Sequence, residues 1–174
     1  MEKLTVNVND ISFDIFKDSK VWCDLAHEST KQIIDSIFKY GVKDKSVIDI
    51  GTGTGLLSVL CSKLGASHIL ALDLDTHALE WARKNFKRNE VEVEVEVNDL
   101  TRFIDDKVDV ILANLPAPVQ VENVKTVGNN MHEDSILILT WWNTLPFERY
   151  VRGFEIIEHI EGEEYDGYVL KKGL

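Results

Sequence analysis

Apolar and polar residues alternate from Lys3 to Phe16, with Leu4, Val6 and Val8 on one side of Asn9-Asp10 and Ile11, Phe13 and Ile15 on the other. A period of two on both sides of a turn dipeptide predicts a short hairpin, a lid or edge piece. From Asp24 to Tyr40 the period lengthens. Leu25, Ile33, Ile34, Ile37 and Phe38 recur at helical spacing, which predicts one amphipathic helix capped by Asp24 and stopped by Gly41.

Strands and helices then alternate. Ser46–Ile50 and His68–Asp73 read as buried strands, each followed by a helical stretch: Gly55–Leu64, ended by Gly65, and a second capped by Asp75. This second helix turns Ala78, Leu79, Ala82 and Phe86 inward and stops near Asn89. The strict alternation of valine and glutamate over Val91–Val97 predicts a half-exposed strand at the sheet edge, where the glutamates deter pairing with another chain. Val108–Ala113 and Ile136–Trp142 are two further apolar strands. The segment 114–134 between them must cross over to keep them parallel, with Val119, Val121, Val124 and Val127 as its apolar positions. A brief helix over Phe147–Arg152 precedes Phe154–Ile160 and Tyr165–Lys171, a terminal hairpin. These elements predict a doubly wound α/β fold: a mostly parallel seven-stranded sheet with helices on both faces and a C-terminal antiparallel hairpin. Residues 1–45 pack as hairpin and helix on the core 46–174, in one domain.

Charge narrows the partners. The chain of 174 residues carries 19 Lys and Arg against 30 Asp and Glu, a net charge of −11. That excess repels a phosphate backbone and disfavours bulk nucleic-acid binding. Uncharged stretches such as Ile50–Ser62 and Ser135–Phe147 fall short of the ~18 apolar residues of a membrane span. With no apolar signal core near Glu2 and Lys3, the chain reads as cytoplasmic. Cys23 and Cys61 stand outside any ligand spacing, His27, His68, His77, His132 and His159 are scattered, and no metal is expected.

Ligands of such sheets sit beyond the carboxyl ends of the strands. The first strand runs into Asp49-Ile50-Gly51-Thr52-Gly53-Thr54-Gly55, whose glycines let the backbone turn sharply and approach a ligand at a helix start. The second strand ends at Asp73, a carboxylate suited to the two hydroxyls of a ribose, so a nucleoside is the implied ligand. Nicotinamide and flavin sites share both signals. Their fingerprint, however, requires a third glycine where Leu56 stands, which weakens a diphosphate reading.

Val47-Ile48-Asp49-Ile50-Gly51-Thr52-Gly53-Thr54-Gly55 resembles the first motif of class I S-adenosylmethionine-dependent methyltransferases, a Rossmann-like family. Leu72-Asp73 resembles the second motif and Asn98-Asp99-Leu100 the next. Among subfamilies the chain looks most like the PrmA type, which methylates a ribosomal protein, and Gly153–Glu158 with Val169–Lys171 fits that pattern. Upstream, His27 and Thr30 match its His-Pro-Thr-Thr stretch and Ser29 is conservative, while Cys23, Asp24, Leu25 and Ala26 depart from it. The resemblance implies S-adenosyl-L-methionine as cofactor. Gly51, Thr52, Gly53 and Gly55 would face its methionine part, with Asp49 supporting the loop. Asp73 would hold the ribose and Asp99 with Leu100 the adenine, and Leu56 and Leu74 complete the implied contacts.

The fourth strand ends in Asn114-Leu115-Pro116-Ala117, similar to the Asn-Leu-Pro-Tyr and Asn-Pro-Pro-Tyr loops of amine- and amide-directed methyltransferases. Methyl transfer from a sulfonium mainly requires a positioned nitrogen whose hydrogens are accepted, a task for the Asn114 amide oxygen and the Leu115 carbonyl, held rigid by Pro116. Ala117, in place of an aromatic, argues against base methylation. Trp22, Trp141 and Trp142 are candidates for a substrate wall, although Trp141 and Trp142, adjacent in a strand, face opposite ways. The expected function is methyl transfer to a nitrogen of a protein, less so of RNA or a small molecule. The separate recognition domain of the PrmA type has no counterpart in this sequence, so a partner subunit is expected to supply substrate recognition. The alternatives are a non-catalytic S-adenosylmethionine-binding partner subunit and a nicotinamide- or flavin-binding enzyme.

Overall fold

A computed structural model describes residues 1–98, 107–115 and 126–173. Two strands, β1 (Glu2–Val8) and β2 (Ile11–Lys17), pair antiparallel as a sheet of their own, with Asn9 at positive φ in the turn. Helix α1 (Glu28–Tyr40) follows. Five strands and two helices then alternate: β3 (Ser46–Ile50), α2 (Leu56–Lys63), β4 (His68–Asp73), α3 (Thr76–Arg88), β5 (Glu94–Val97), β6 (Val108–Ala113) and β7 (Met131–Trp142). The chain ends in β8 (Phe154–Ile160) and β9 (Tyr165–Lys172).

The main sheet has the order β5-β4-β3-β6-β7-β9-β8. Its first five strands run parallel, whereas β9 pairs antiparallel with both β7 and β8. Central strands are apolar on both faces because both are covered. Val47, Val110 and Leu112 enter one core cluster, with Ile33 and Ile37 of α1, Leu60 of α2 and Phe86 of α3. Ile48, Ile50, Ile111 and Ala113 enter the other, where Val127, Met131, Phe147 and Val151 cover the sheet. Each fully buried aliphatic side chain adds about 1.5–3 kcal/mol over an exposed one, so these strands cannot slip by a residue without turning their apolar rows outward.

Several boundaries differ from the sequence expectation. Helix α1 begins four residues later, because the His27 ring caps it by accepting the Ser29 N–H at 3.3 Å. Asp24 instead accepts the Ala26 N–H at 2.8 Å, a turn before the helix. The edge strand β5 is shorter than the valine–glutamate run, and β7 starts earlier, at Met131. Its register shifts between Val108 and Val110, and the Ser135 hydroxyl, donating to the Val108 carbonyl at 2.6 Å, holds the irregular stretch in place. Glu133 and Asp134 hide that extension from a hydrophobicity pattern. Phe147–Arg149 forms a 3-10 turn, not a longer helix.

The hairpin is no edge strand of the main sheet. Val6, Phe13 and Ile15 sink into the same cluster as α1 and α2, and Asn85 of α3 fixes it by exchanging two hydrogen bonds with the Phe16 backbone, at 2.9 and 2.8 Å. The same Asn85 amide also donates to the Thr54 carbonyl at 2.9 Å. One buried asparagine therefore ties hairpin, helix and glycine loop together.

Candidate active site

The order of the sheet reverses at β3, with β4 on one side and β6 on the other. Loops leaving strands at such a point diverge and open a crevice. The residues leaving these three strand tips are Gly51, Leu74 and Asn114.

At the tip of β3 the backbone takes left-handed values at Gly51 (φ 69°), Gly53 (φ 55°) and Gly55 (φ 81°). Gly51 also lies against Leu115, whose side-chain end would have to shift to admit a Cβ there. Asp49 supports the loop from below. Its Oδ2 accepts the hydroxyls of Thr52 at 2.8 Å and Ser58 at 2.6 Å, and Oδ1 is buried with no partner among the described residues. Burial pushes the Asp49 carboxyl up, against the two hydroxyl bonds, and the nearby Asp73 charge pushes it further.

Asp73 bridges the loops of β3 and β4. Its Oδ2 accepts the Gly53 N–H and its Oδ1 the Asp75 N–H, each at 2.9 Å. A carboxylate has about four acceptor sites, so each oxygen keeps a lone pair for a further donor such as a ribose hydroxyl. Leu74 beside it is 60% exposed, an apolar surface at the crevice mouth.

Asn114 leaves β6 with both ends of its amide engaged. Its Oδ1 accepts the Thr140 hydroxyl of β7 at 3.0 Å, and its Nδ2 reaches the Thr30 hydroxyl of α1 at 3.4 Å. Two pockets meet at this side chain. One runs along Gly51, Gly53 and Leu56 beneath Trp22, Cys23 and Asp24. The other is walled by Trp22, His27, Leu115 and Tyr165. Trp22 and Asn114 border both.

The wall of the second pocket carries edge-to-face rings, Trp22 to His27 at 5.5 Å and His27 to Tyr165 at 5.2 Å, and Tyr165 in turn meets Trp142, which does not line the pocket, at 6.1 Å. Glu28 positions its far side. The carboxylate accepts the N–H groups of Glu163, Glu164 and Tyr165 at 2.8, 2.7 and 2.6 Å. Desolvation acts to raise the Glu28 carboxyl, and the three backbone donors outweigh it and hold it below the ordinary glutamate value.

The structure brings Gly51, Thr52, Gly53, Leu56 and Asn114 to one pocket with Trp22 at its border and Leu115 in the neighbouring one, while Asp49 and Asp73 hold the glycine loop by hydrogen bonds without lining either pocket. Gly55 is turned elsewhere, against Phe86 of α3. Trp141 corrects the sequence expectation: it is 1% exposed, donates its indole N–H to the Leu145 carbonyl at 3.1 Å and packs on Phe147, away from both pockets. Pro116, Ala117, Asp99 and Leu100 lie outside the described residues. Sequence reasoning missed Tyr165, Glu28, Thr140 and Asn85. Only the first two leave a trace in sequence, an aromatic beside an acidic turn and the acid within the His27-to-Thr30 stretch.

The donor set suits a nucleoside bearing an amino acid. Backbone N–H groups, threonine hydroxyls and carboxylates surround the crevice, and an orphaned Asp49 oxygen lies behind it. Among the described residues no Lys or Arg lines the first pocket, and Asp24 does, so a diphosphate would meet a like charge there. Among these residues no cluster of three or more His, Cys, Asp or Glu is arranged to hold a metal, and no helix is long and apolar enough to cross a membrane.

The chain is similar to known proteins. The family model described as ribosomal protein L11 methyltransferase (PrmA) matches residues 26–172. The ribosomal protein L11 methyltransferase of Thermosipho melanesiensis is 36% identical over 146 residues, covering 83% of this chain and 56% of that protein. That of Caldicellulosiruptor saccharolyticus is 39% identical over 146 residues, covering 83% of this chain and 48% of the relative. The chain thus spans about half the length of these relatives. A solved ribosomal protein L11 methylase from Lactobacillus delbrueckii superposes with a TM-score of 0.82 at 24% identity, over 88% of this chain and 82% of its own. A 16S rRNA N2 G1207 methyltransferase from T. thermophilus, solved with AdoMet and guanosine, gives 0.79 at 15% identity, over 99% of this chain and 50% of its own. The last two likenesses carry the fold, and the match over residues 26–172 carries the family: the chain belongs to the ribosomal protein L11 methyltransferase (PrmA) family.

Proposed function

We propose that the chain is a cytoplasmic S-adenosylmethionine-dependent methyltransferase acting on a nitrogen of a protein. One observation carries the reading: Asn114 stands on the common border of a glycine-floored pocket and an aromatic-walled one. A group bound in the first pocket and an acceptor in the second would meet at that amide.

S-adenosylmethionine supplies an activated methyl group on a good leaving group. The protein's task is then to align and to exclude water. Asp73 holds the ribose hydroxyls with the lone pairs left by Gly53 and Asp75, and the glycine loop lets backbone N–H groups approach. The Thr140 hydroxyl occupies one lone pair of Asn114 Oδ1, which fixes the amide and leaves the other for a hydrogen of the acceptor nitrogen. The Trp22, His27 and Tyr165 rings suit an amine side chain, whose alkyl stem packs on rings and whose methylated, cationic product is attracted to their faces. A protein acceptor agrees with the net charge of −11 better than RNA does. A partner subunit would present the acceptor to this site.

Incubation with methyl-labelled S-adenosylmethionine and cell extract, then digestion, tests this. Protease should release the label from the macromolecular fraction and nuclease should not. Label released by nuclease would overturn the protein acceptor, and no label with any extract would overturn turnover itself.

A further inference from the structure

The segment Lys20–Asp24 crosses over the glycine loop. Val21 is buried against Ala78 and Trp81 of α3, and the Trp22 carbonyl stands 3.6 Å from where a Gly53 Cβ would be. Asp18 secures the start of this strap by accepting the Lys20 N–H at 2.9 Å and pairing with His77 Nε2 at 2.8 Å. Trp22, Cys23 and Asp24 thereby roof the pocket whose floor is Gly51 and Gly53.

The wall of that pocket is otherwise neutral. Thr30, Thr52, Thr54 and Asn114 offer hydroxyls and an amide, and burial raises the Cys23 thiol, which keeps it uncharged. Asp49 lies behind the wall with Oδ2 spent on Thr52 and Ser58. Among the described residues Asp24 is therefore the one charged side chain lining the cavity. Its Oδ1 is used by the Ala26 N–H, and no other hydrogen bond to it is made among those residues. Asp24 is exposed at the rim of this cavity, and with no basic side chain lining it among the described residues the carboxylate is placed to pair with a cation brought by a ligand.

We infer that Asp24 is the counter-ion of the α-ammonium group on the amino-acid end of the bound cofactor, an inference that rests on the methyltransferase reading. The contact is ionic and direct, ammonium N–H to Asp24 Oδ2. It makes the amino-acid end, and not only the nucleoside, a determinant of affinity.

Titration calorimetry on the full chain tests it with two probes. S-adenosylhomocysteine carries the ammonium, and 5′-methylthioadenosine shares its nucleoside and thioether but lacks the amino acid. Asp24→Asn keeps the shape and the Ala26 hydrogen bond. It should weaken S-adenosylhomocysteine about tenfold, roughly 1.4 kcal/mol, and leave methylthioadenosine within about twofold. Equal weakening of both probes would make Asp24 a support of the strap and overturn the assignment, as would unchanged affinity for S-adenosylhomocysteine. Failure of the unaltered protein to bind S-adenosylhomocysteine at all would instead overturn the methyltransferase reading, and the assignment with it.

Discussion

The ring of Phe86 on α3 fills the space into which a side chain on Gly55 would project, so that a Cβ there would lie 2.7 Å from the Phe86 Cζ atom. Gly55 caps α2 in a left-handed conformation. The last glycine of the loop thus serves the contact between two helices, while Gly51 and Gly53 serve the pocket. Gly55→Ala should cost about 1 kcal/mol for the backbone and ~1–3 kcal/mol for overpacking, read by urea denaturation. The double variant Gly55→Ala, Phe86→Leu should recover part of the packing loss. Additive losses would show that the two residues do not compete for this space.

Glu28 supplies a second test through pH. Its native carboxyl lies below the unfolded value of ~4.3, so the native state binds this proton less readily. The stabilisation is complete above the unfolded value and is lost as pH falls through the lowered native one. Because the group is only half-buried, Glu28→Gln should cost about 1 kcal/mol at pH 7. The gap between wild type and variant should stay constant from about pH 8 to 5 and shrink below about pH 4. A gap that persists unchanged to pH 3 would mean that the carboxylate charge contributes nothing.

Trp141 and Trp142 separate stability from site. Trp141, buried between Phe147 and Tyr150, should cost about 3–5 kcal/mol on truncation to alanine. Trp142 is 37% exposed and meets Tyr165 across β7 and β9. Trp142→Ala should cost under about 1 kcal/mol, leave S-adenosylhomocysteine affinity unchanged and lower kcat/KM for the acceptor. Comparable denaturation losses in the two variants would refute this division.

The elements best legible in sequence are those with the plainest physical signal. β3, β4 and β6 run from the residues expected to the residues expected, because apolar runs bounded by Gly, Asp and Asn have few other readings. Asp49, Gly51, Asp73 and Asn114 could be grouped because each sits at a strand end, and a parallel sheet brings those ends together. Period two also required Trp141 and Trp142 to part, without saying which of them enters the core. Contacts between residues distant in sequence stayed hidden. Asn85 bonding Phe16 and Thr54, Thr140 under Asn114, and Glu28 gripping the turn before Tyr165 follow from tertiary placement and leave no local pattern. The cap of α1 was misread for a related reason: Asp24 is the better N-cap by type, but the histidine three residues later is where the helix begins.

Asn114 is where cofactor binding and methyl transfer should come apart. The amide borders both pockets, but the ribose and the amino-acid end are assigned to Asp73, the glycine loop and Asp24, on other walls. Asn114→Ala should therefore keep S-adenosylhomocysteine affinity within about tenfold, a loss of at most ~1.4 kcal/mol. Transfer needs more. On the proposed reading Asn114 Oδ1 would hold the acceptor nitrogen in line with the methyl group, and a misplaced reactant costs on the order of 100-fold. Labelled transfer by Asn114→Ala should fall by at least that factor. Thr140→Val removes the hydroxyl that orients this oxygen at 3.0 Å and should lower kcat with little change in cofactor affinity. If Asn114→Ala transfers methyl groups at the wild-type rate, the acceptor nitrogen is held elsewhere on the pocket wall, and Thr140→Val should then be silent as well.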